Sequence, residues 1–179
     1  MLKWFKRVAL GVVALAGVVI VAGVFFEQWS RWSVARNYQP TGELFEVDGR
    51  TMHLHCSGSG EPMVVLESGL DIAGSLAWVT VQPEIAKTNR VCSYDRAGIL
   101  WSSGLDERPT ANGITERLHT LLGTASETPP YVLVGHSLGG PLSMVFADRY
   151  RDEIEGVVLV DSSHPEQLDR FSPEAIEAM

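Results

Sequence analysis

Gly135-His136-Ser137-Leu138-Gly139 sets a serine midway between two glycines, and of all the residues in the chain this hydroxyl has the clearest chemical use. The run before it, Tyr131-Val132-Leu133-Val134, is apolar and valine-rich, as a strand covered on both faces must be. Leu142, Val145 and Phe146 then follow at helical spacing. A strand that bends sharply into a helix at Ser137 lifts its Oγ above the sheet and aims the next backbone N–H at the same point. Glycines at 135 and 139 let the two backbones approach where a Cβ would clash. The chemistry is nucleophilic attack on an acyl carbon, with Ser137 as the candidate nucleophile.

A serine hydroxyl attacks poorly without a base to take its proton. His164 is the one histidine after Ser137, and Asp161 lies just before it. Asp161 reads as a helix-capping or loop-bracing carboxylate. His164 reads as a pocket wall, and His136 as part of the turn with its ring directed away from Ser137.

The elements that must hold the serine are legible as alternating runs. Glu43 to Val47 and Arg50 to Cys56 flank Asp48-Gly49 and form a hairpin. Met63 to Glu67, Arg90 to Asp95, Tyr131 to His136 and Gly156 to Asp161 are short apolar strands. Between them Leu76 to Ala86, Ile114 to Leu122 and Leu138 to Tyr150 are expected as helices, and Ser172-Pro173-Glu174 as another helix start. A hairpin followed by strands alternating with helices is an α/β arrangement with a mostly parallel sheet. Ligands gather at the carboxyl ends of such strands. Those ends are Ser68-Gly69-Leu70, Asp95-Arg96, Ser137 and Asp161-Ser162-Ser163, which therefore converge on one site.

From Glu43 to Met179 the chain resembles the α/β-hydrolase superfamily, in its single-domain esterase, aminopeptidase and dehalogenase-like branch. The resemblance rests on Val64 to Leu70, Tyr94-Asp95-Arg96-Ala97-Gly98, Gly135 to Gly140 and Val158-Leu159-Val160-Asp161. It implies an oxyanion hole made by the backbone N–H groups of Leu70 and Leu138, so Leu138→Ala should be mild. It implies a small-molecule acyl substrate (an ester, amide or related compound) and neither cofactor nor metal. The branch usually carries His-Gly where Ser68-Gly69 stands, and Gly where Leu100 stands. Its acid and base follow later strands, so the chain reads as the first six strands of the sheet, stopping at the start of the cap region. On that reading the 179 residues alone have negligible activity. A non-catalytic binding or scaffold protein on the same fold is the alternative.

Other residues carry structural readings. His53 and His55 share a strand face, which is expected to be solvated. Cys56 and Cys92 fall on neighbouring strands of the implied sheet and either pair or sit as small buried hydrophobes. Asp95-Arg96 reads as a bracing ion pair or a loop anchor, and Glu67 as a loop brace. Trp78 and Trp101 belong either to the acyl pocket or to the core.

Composition bounds the rest. Net charge is −8, and beyond Phe26 there are 11 basic and 22 acidic residues, which argues against a nucleic-acid partner. Residues 8–26 are uncharged and as a helix span about 28 Å, close to a bilayer's hydrocarbon thickness. We read 1–7 as a cytoplasmic terminus, 8–26 as a membrane-spanning helix, 27–42 as a juxtamembrane linker and 43–179 as the α/β domain. Lys3, Lys6 and Arg7 should stay inside, leaving that domain on the far side of the membrane. A cleaved signal peptide is the rival, with a weak site at Val21-Ala22-Gly23.

Overall fold

The protein is described from a computed structural model that covers residues 2–70, 72–164, 166 and 172. It divides into two compact units, Met1–Gln39 and Pro40–Met179.

The first unit is one helix, α1 (Leu2–Asn37). It continues past Phe26, so residues 27–37, expected as linker, are helical. Glu27 and Arg31 pair one turn apart at 2.7 Å, and the Arg36 guanidinium lies 4.7 Å from the Trp32 ring centroid, both supporting that extension. Leu10–Val34 is long and apolar enough to cross a membrane.

The second unit is a six-stranded sheet in the order β1-β2-β4-β3-β5-β6. The expected hairpin forms from β1 (Glu43–Val47) and β2 (Arg50–Ser57), with Val47 opposite Arg50. Asp48 and Gly49 take φ of 51° and 72°, the two left-handed residues of a two-residue turn. β2 runs antiparallel to β4 (Val91–Tyr94). β3 (Met63–Glu67) lies parallel between β4 and β5 (Tyr131–His136), and β6 (Ile154–Val160) closes the order beside β5.

Two helices cover one face. α3 (Ala111–Thr124) begins at Thr110, whose side chain accepts from the Gly113 N–H, and α4 (Gly139–Arg149) follows β5. Leu118, Leu121, Leu122 and Phe146 interlock with Leu133, Tyr94 and Met52 in the larger core cluster. The other face carries a smaller cluster of Val64, Leu66, Trp78 and Val91. The helix expected over Leu76 to Ala86 is instead a 3₁₀ turn (Gly74–Trp78) and a one-turn α2 (Gln82–Ile85). Pro83 explains the break, because it lacks the N–H that a continuous helix would bond at that point. Ser172-Pro173-Glu174 falls largely outside the described residues.

Candidate active site

Ser137 occupies the bend between β5 and α4 with φ of 50°, a left-handed conformation that a non-glycine residue adopts only when its surroundings impose it. Those surroundings are main-chain. The Ser137 N–H donates to Val160 O at 3.2 Å, and Ser137 O accepts from the N–H groups of Gly140 at 3.1 Å and Ser163 at 3.2 Å. The bend is thus stitched to the end of β6. Both flanking glycines are sterically required. A Cβ on Gly135 would lie 2.5 Å from Gly139 O, and one on Gly139 would run into Glu67 O. Gly140 is equally tight against the Ser162 side chain.

Across the bend lies the loop after β3, in which Ser68 and Gly69 are buried while the Leu70 side chain is 83% exposed. Leu70 and Leu138 line one mostly apolar cavity of about 190 Å³, together with Met52, Ile99, Ile114 and Arg96. Among the described residues, neither the Leu70 nor the Leu138 N–H donates to a main-chain acceptor.

A buried charged cluster underlies that loop. Glu67 ends β3 almost wholly out of solvent, accepting from Arg96 Nη1 at 2.7 Å and from the Tyr94 hydroxyl. Arg96 also donates to Ser68 O at 2.8 Å and to Gly69 O. Burial pushes the Glu67 carboxyl up to about 7, against the pull of Arg96 and the Tyr94 hydrogen bond. Burial, reinforced by the neighbouring Glu67, holds the Tyr94 hydroxyl well above its usual range.

Asp95 and Arg96 do not pair with each other; Arg96 instead serves as the loop anchor, holding the Ser68 and Gly69 carbonyls. Successive strand residues point to opposite faces, so Arg96 turns with Tyr94 toward Glu67 while Asp95 turns toward His53. His53 is fully buried instead of lying on a solvated face, because the 3₁₀ turn and the 96–103 loop cover that side. Its Nε2 accepts from the Gly42 N–H at 3.0 Å, which places the ring proton on Nδ1. Nδ1 is 2.9 Å from Asp95 Oδ2, but its N–H points off the line, so the neutral ring lies beside the carboxylate without an aimed hydrogen bond. Asp95 Oδ1 accepts from the Ser75 N–H at 2.7 Å, and the Ser102 hydroxyl donates to Asp95 O at 2.7 Å. Trp101 packs 4.8 Å from the His53 ring and Trp78 lies in the smaller core, so both serve packing. The two-residue alternation of Tyr94-Asp95-Arg96 signals that Asp95 and Arg96 take opposite faces, though not which partners they meet there.

Asp161 is exposed at the end of β6 with φ of 42°. His164 is exposed as well, its Nδ1 accepting from the Glu166 N–H at 3.2 Å. Among the described residues no histidine is hydrogen-bonded to Ser137. The one cluster of metal-type ligands among them is Cys56, Cys92 and Glu127. There the two sulfurs are joined as a disulfide between directly opposed residues of β2 and β4, and Glu127 is paired with Arg90.

The chain is similar to known proteins over much of its length. YbdG of Bacillus subtilis, itself uncharacterized, is 25% identical over 178 residues, covering 99% of this chain and 55% of that protein. The 2-hydroxy-6-oxo-2,4-heptadienoate hydrolase of Pseudomonas putida is 32% identical over 124 residues, 66% of this chain and 44% of the enzyme. A thermophilic esterase from Thermogutta terrifontis superposes with a TM-score of 0.64 at 25% identity, over 76% of this chain and 50% of the esterase. The chain therefore spans about half the length of these relatives. A family model described as the alpha/beta hydrolase fold matches residues 61–176, which include β3 to β6 and the Ser137 bend, and to that family the chain belongs.

Proposed function

We propose that this chain carries the nucleophile and oxyanion hole of a membrane-anchored serine hydrolase acting on small ester, amide or related acyl compounds. Ser137 Oγ attacks the carbonyl carbon, and its proton passes to a histidine supplied from outside the residues described here. The carbonyl oxygen becomes an oxyanion and takes hydrogen bonds from the N–H groups of Leu138 and Leu70. Each such donor contributes about 3 kcal/mol of transition-state stabilisation, judged from deletions of single donors in other enzymes. The apolar cavity shared by Leu70 and Leu138 suits a small acyl group. The hydrolase named among the relatives and the esterase fit the same class of reaction.

The observation that carries this reading is the left-handed φ of Ser137 between two glycines that tolerate no Cβ. A serine of no consequence would leave such a strained position to glycine. Residues 8–26 anchor the protein in the membrane, 1–7 stay in the cytoplasm and 43–179 form the hydrolase portion outside. Among the described residues no histidine is hydrogen-bonded to Ser137, so the 179-residue chain is expected to turn over no ester at a measurable rate.

A fluorophosphonate probe tests the nucleophile. Applied to the gene's product in its native membrane, it should label Ser137, and Ser137→Ala should abolish the labelling. Silence of the unaltered protein favours a non-catalytic binding protein on this fold. Ester turnover by the 179-residue chain, lost in Ser137→Ala, would instead make His164 the base.

A further inference from the structure

We infer that Arg96 is the positioning residue of the oxyanion hole: by gripping two consecutive carbonyls of the loop after β3 it fixes the direction of the Leu70 N–H. The functional half of this claim rests on the serine-hydrolase reading; the geometric half does not. A trans peptide unit is rigid and planar, and its C=O and N–H point in opposite directions. Gly69 O and the Leu70 N–H belong to one such unit, as do Ser68 O and the Gly69 N–H. Arg96 Nη2 holds Gly69 O, and Nη1 holds Ser68 O at 2.8 Å. Whatever direction the guanidinium imposes on those oxygens, the two N–H groups must take the reverse. The Leu70 N–H is thereby turned away from Arg96, and no main-chain acceptor among the described residues competes for it.

The grip is itself held. Glu67 takes the same Nη1 at 2.7 Å, and the Tyr94 hydroxyl occupies the other carboxylate oxygen. Gly139 presses on the Glu67 and Ser68 carbonyls from the start of α4, so the loop is clamped between the guanidinium and the helix that carries the other donor, Leu138. Past Gly69 this support stops: Leu70 and Ile72 are more than four-fifths exposed. Arg96 is therefore the last fixed point before the donor. The planar fork is what the task needs, since an ammonium makes point contacts and cannot hold two carbonyls and a carboxylate in one plane.

The test reads the orientation directly, on the full 179-residue chain in detergent micelles. One-bond N–H residual dipolar couplings of Gly69 and Leu70 should fit the alignment defined by the sheet. In Arg96→Met the Leu70 coupling should shrink by half or more while those of β3 and β5 hold, and Arg96→Lys should be intermediate. A Leu70 coupling unchanged in Arg96→Met, with the sheet intact, overturns the inference. Should Arg96→Met fail to fold, Arg96→Lys decides by the same criterion. On the membrane-embedded gene product, Arg96→Met should slow labelling of Ser137 by fluorophosphonate about tenfold to hundredfold, with thermal unfolding moving little by comparison. An unchanged labelling rate beside a lost Leu70 coupling overturns the functional half. Absence of labelling in the unaltered protein refutes the hydrolase reading instead, and leaves the couplings to decide the geometry.

Discussion

Leu100 holds φ at 42° with its side chain nearly half exposed, a conformation costing a branched residue about 1 kcal/mol. Glycine removes that strain but frees the unfolded chain, which returns about half the gain. Leu100→Gly should therefore raise stability by about 0.5 kcal/mol in urea unfolding, while Leu100→Ala, still bearing a Cβ, should not; a loss on going to glycine would show that the side chain packs usefully. Glu67 gives a second residue-level expectation. Its carboxyl keeps its proton up to about 7 when folded but releases it near 4.5 when unfolded. Unfolding thus liberates a proton between those values, and the stability that Glu67 contributes in acid is lost as pH rises through that window. Unfolding of the wild type should show this decline and Glu67→Gln should lack it; parallel pH profiles would refute the raised carboxyl. At this scale the serine and its glycines were plain in the sequence, because steric demand leaves a mark on residue type. The partners of Glu67, Arg96 and His53 were not, since pairing depends on which face each side chain takes and on what covers that face.

Strands and their order were legible for the same reason as the bend: alternation and turn residues are local. Asp48-Gly49 marked the hairpin, and the neighbouring of β2 and β4 followed from the family resemblance. The segment after the β3 loop reads as one helix because its apolar spacing is helical, whereas Pro83 forbids continuity. Whether Cys56 and Cys92 pair could not be decided from residue type; the register settles it by setting them directly opposite, with Cα atoms 4.1 Å apart. Their bond closes a loop with a sequence separation of 36 residues. Restricting a loop of that size in the unfolded chain is worth about 4 kcal/mol in the chain-entropy account. Cys56→Ala/Cys92→Ala should accordingly lose about 2–4 kcal/mol in urea unfolding, and wild type under reductant should match it. Equal stability with and without the bond would mean that the β2–β4 pairing gains nothing from it.

At the scale of the molecule the covering of the sheet is lopsided. α3 and α4 bury one face and the smaller cluster lies on the other, whereas Val157 to Val160 along the β6 edge remain between 36% and 47% exposed. Such a run of apolar residues needs a cover, which fits the proposal that the described residues form one portion of a larger α/β fold. The proposed anchor, α1, obeys different physics. α1 spans 36 residues, about 54 Å, while the hydrocarbon core of a bilayer is about 30 Å thick. In the proposed anchor the uncharged residues 8–26 fill that core, and the last eleven residues of the helix, with the Glu27–Arg31 pair and the Arg36–Trp32 contact, run on into the headgroup region. The flanking cations number three before the span (Lys3, Lys6, Arg7) and two within the helix after it (Arg31, Arg36), so the bias toward a cytoplasmic N-terminus is narrow. Alkaline phosphatase fused after Asn37 should be active in a bacterial host, since it folds only outside the cytoplasm. Changing Lys3, Lys6 and Arg7 together to Gln should reverse the count and cut that activity at least severalfold, with a cytoplasmic fluorescent reporter at the same junction lighting up in its place. The disulfide gives an internal check, because an oxidising compartment is where it persists. Cys56 and Cys92 should resist alkylation in the native orientation and become reactive in the reversed one. A dark phosphatase fusion with freely alkylated cysteines in the unaltered chain would put the α/β unit in the cytoplasm and end the anchored, outward-facing proposal.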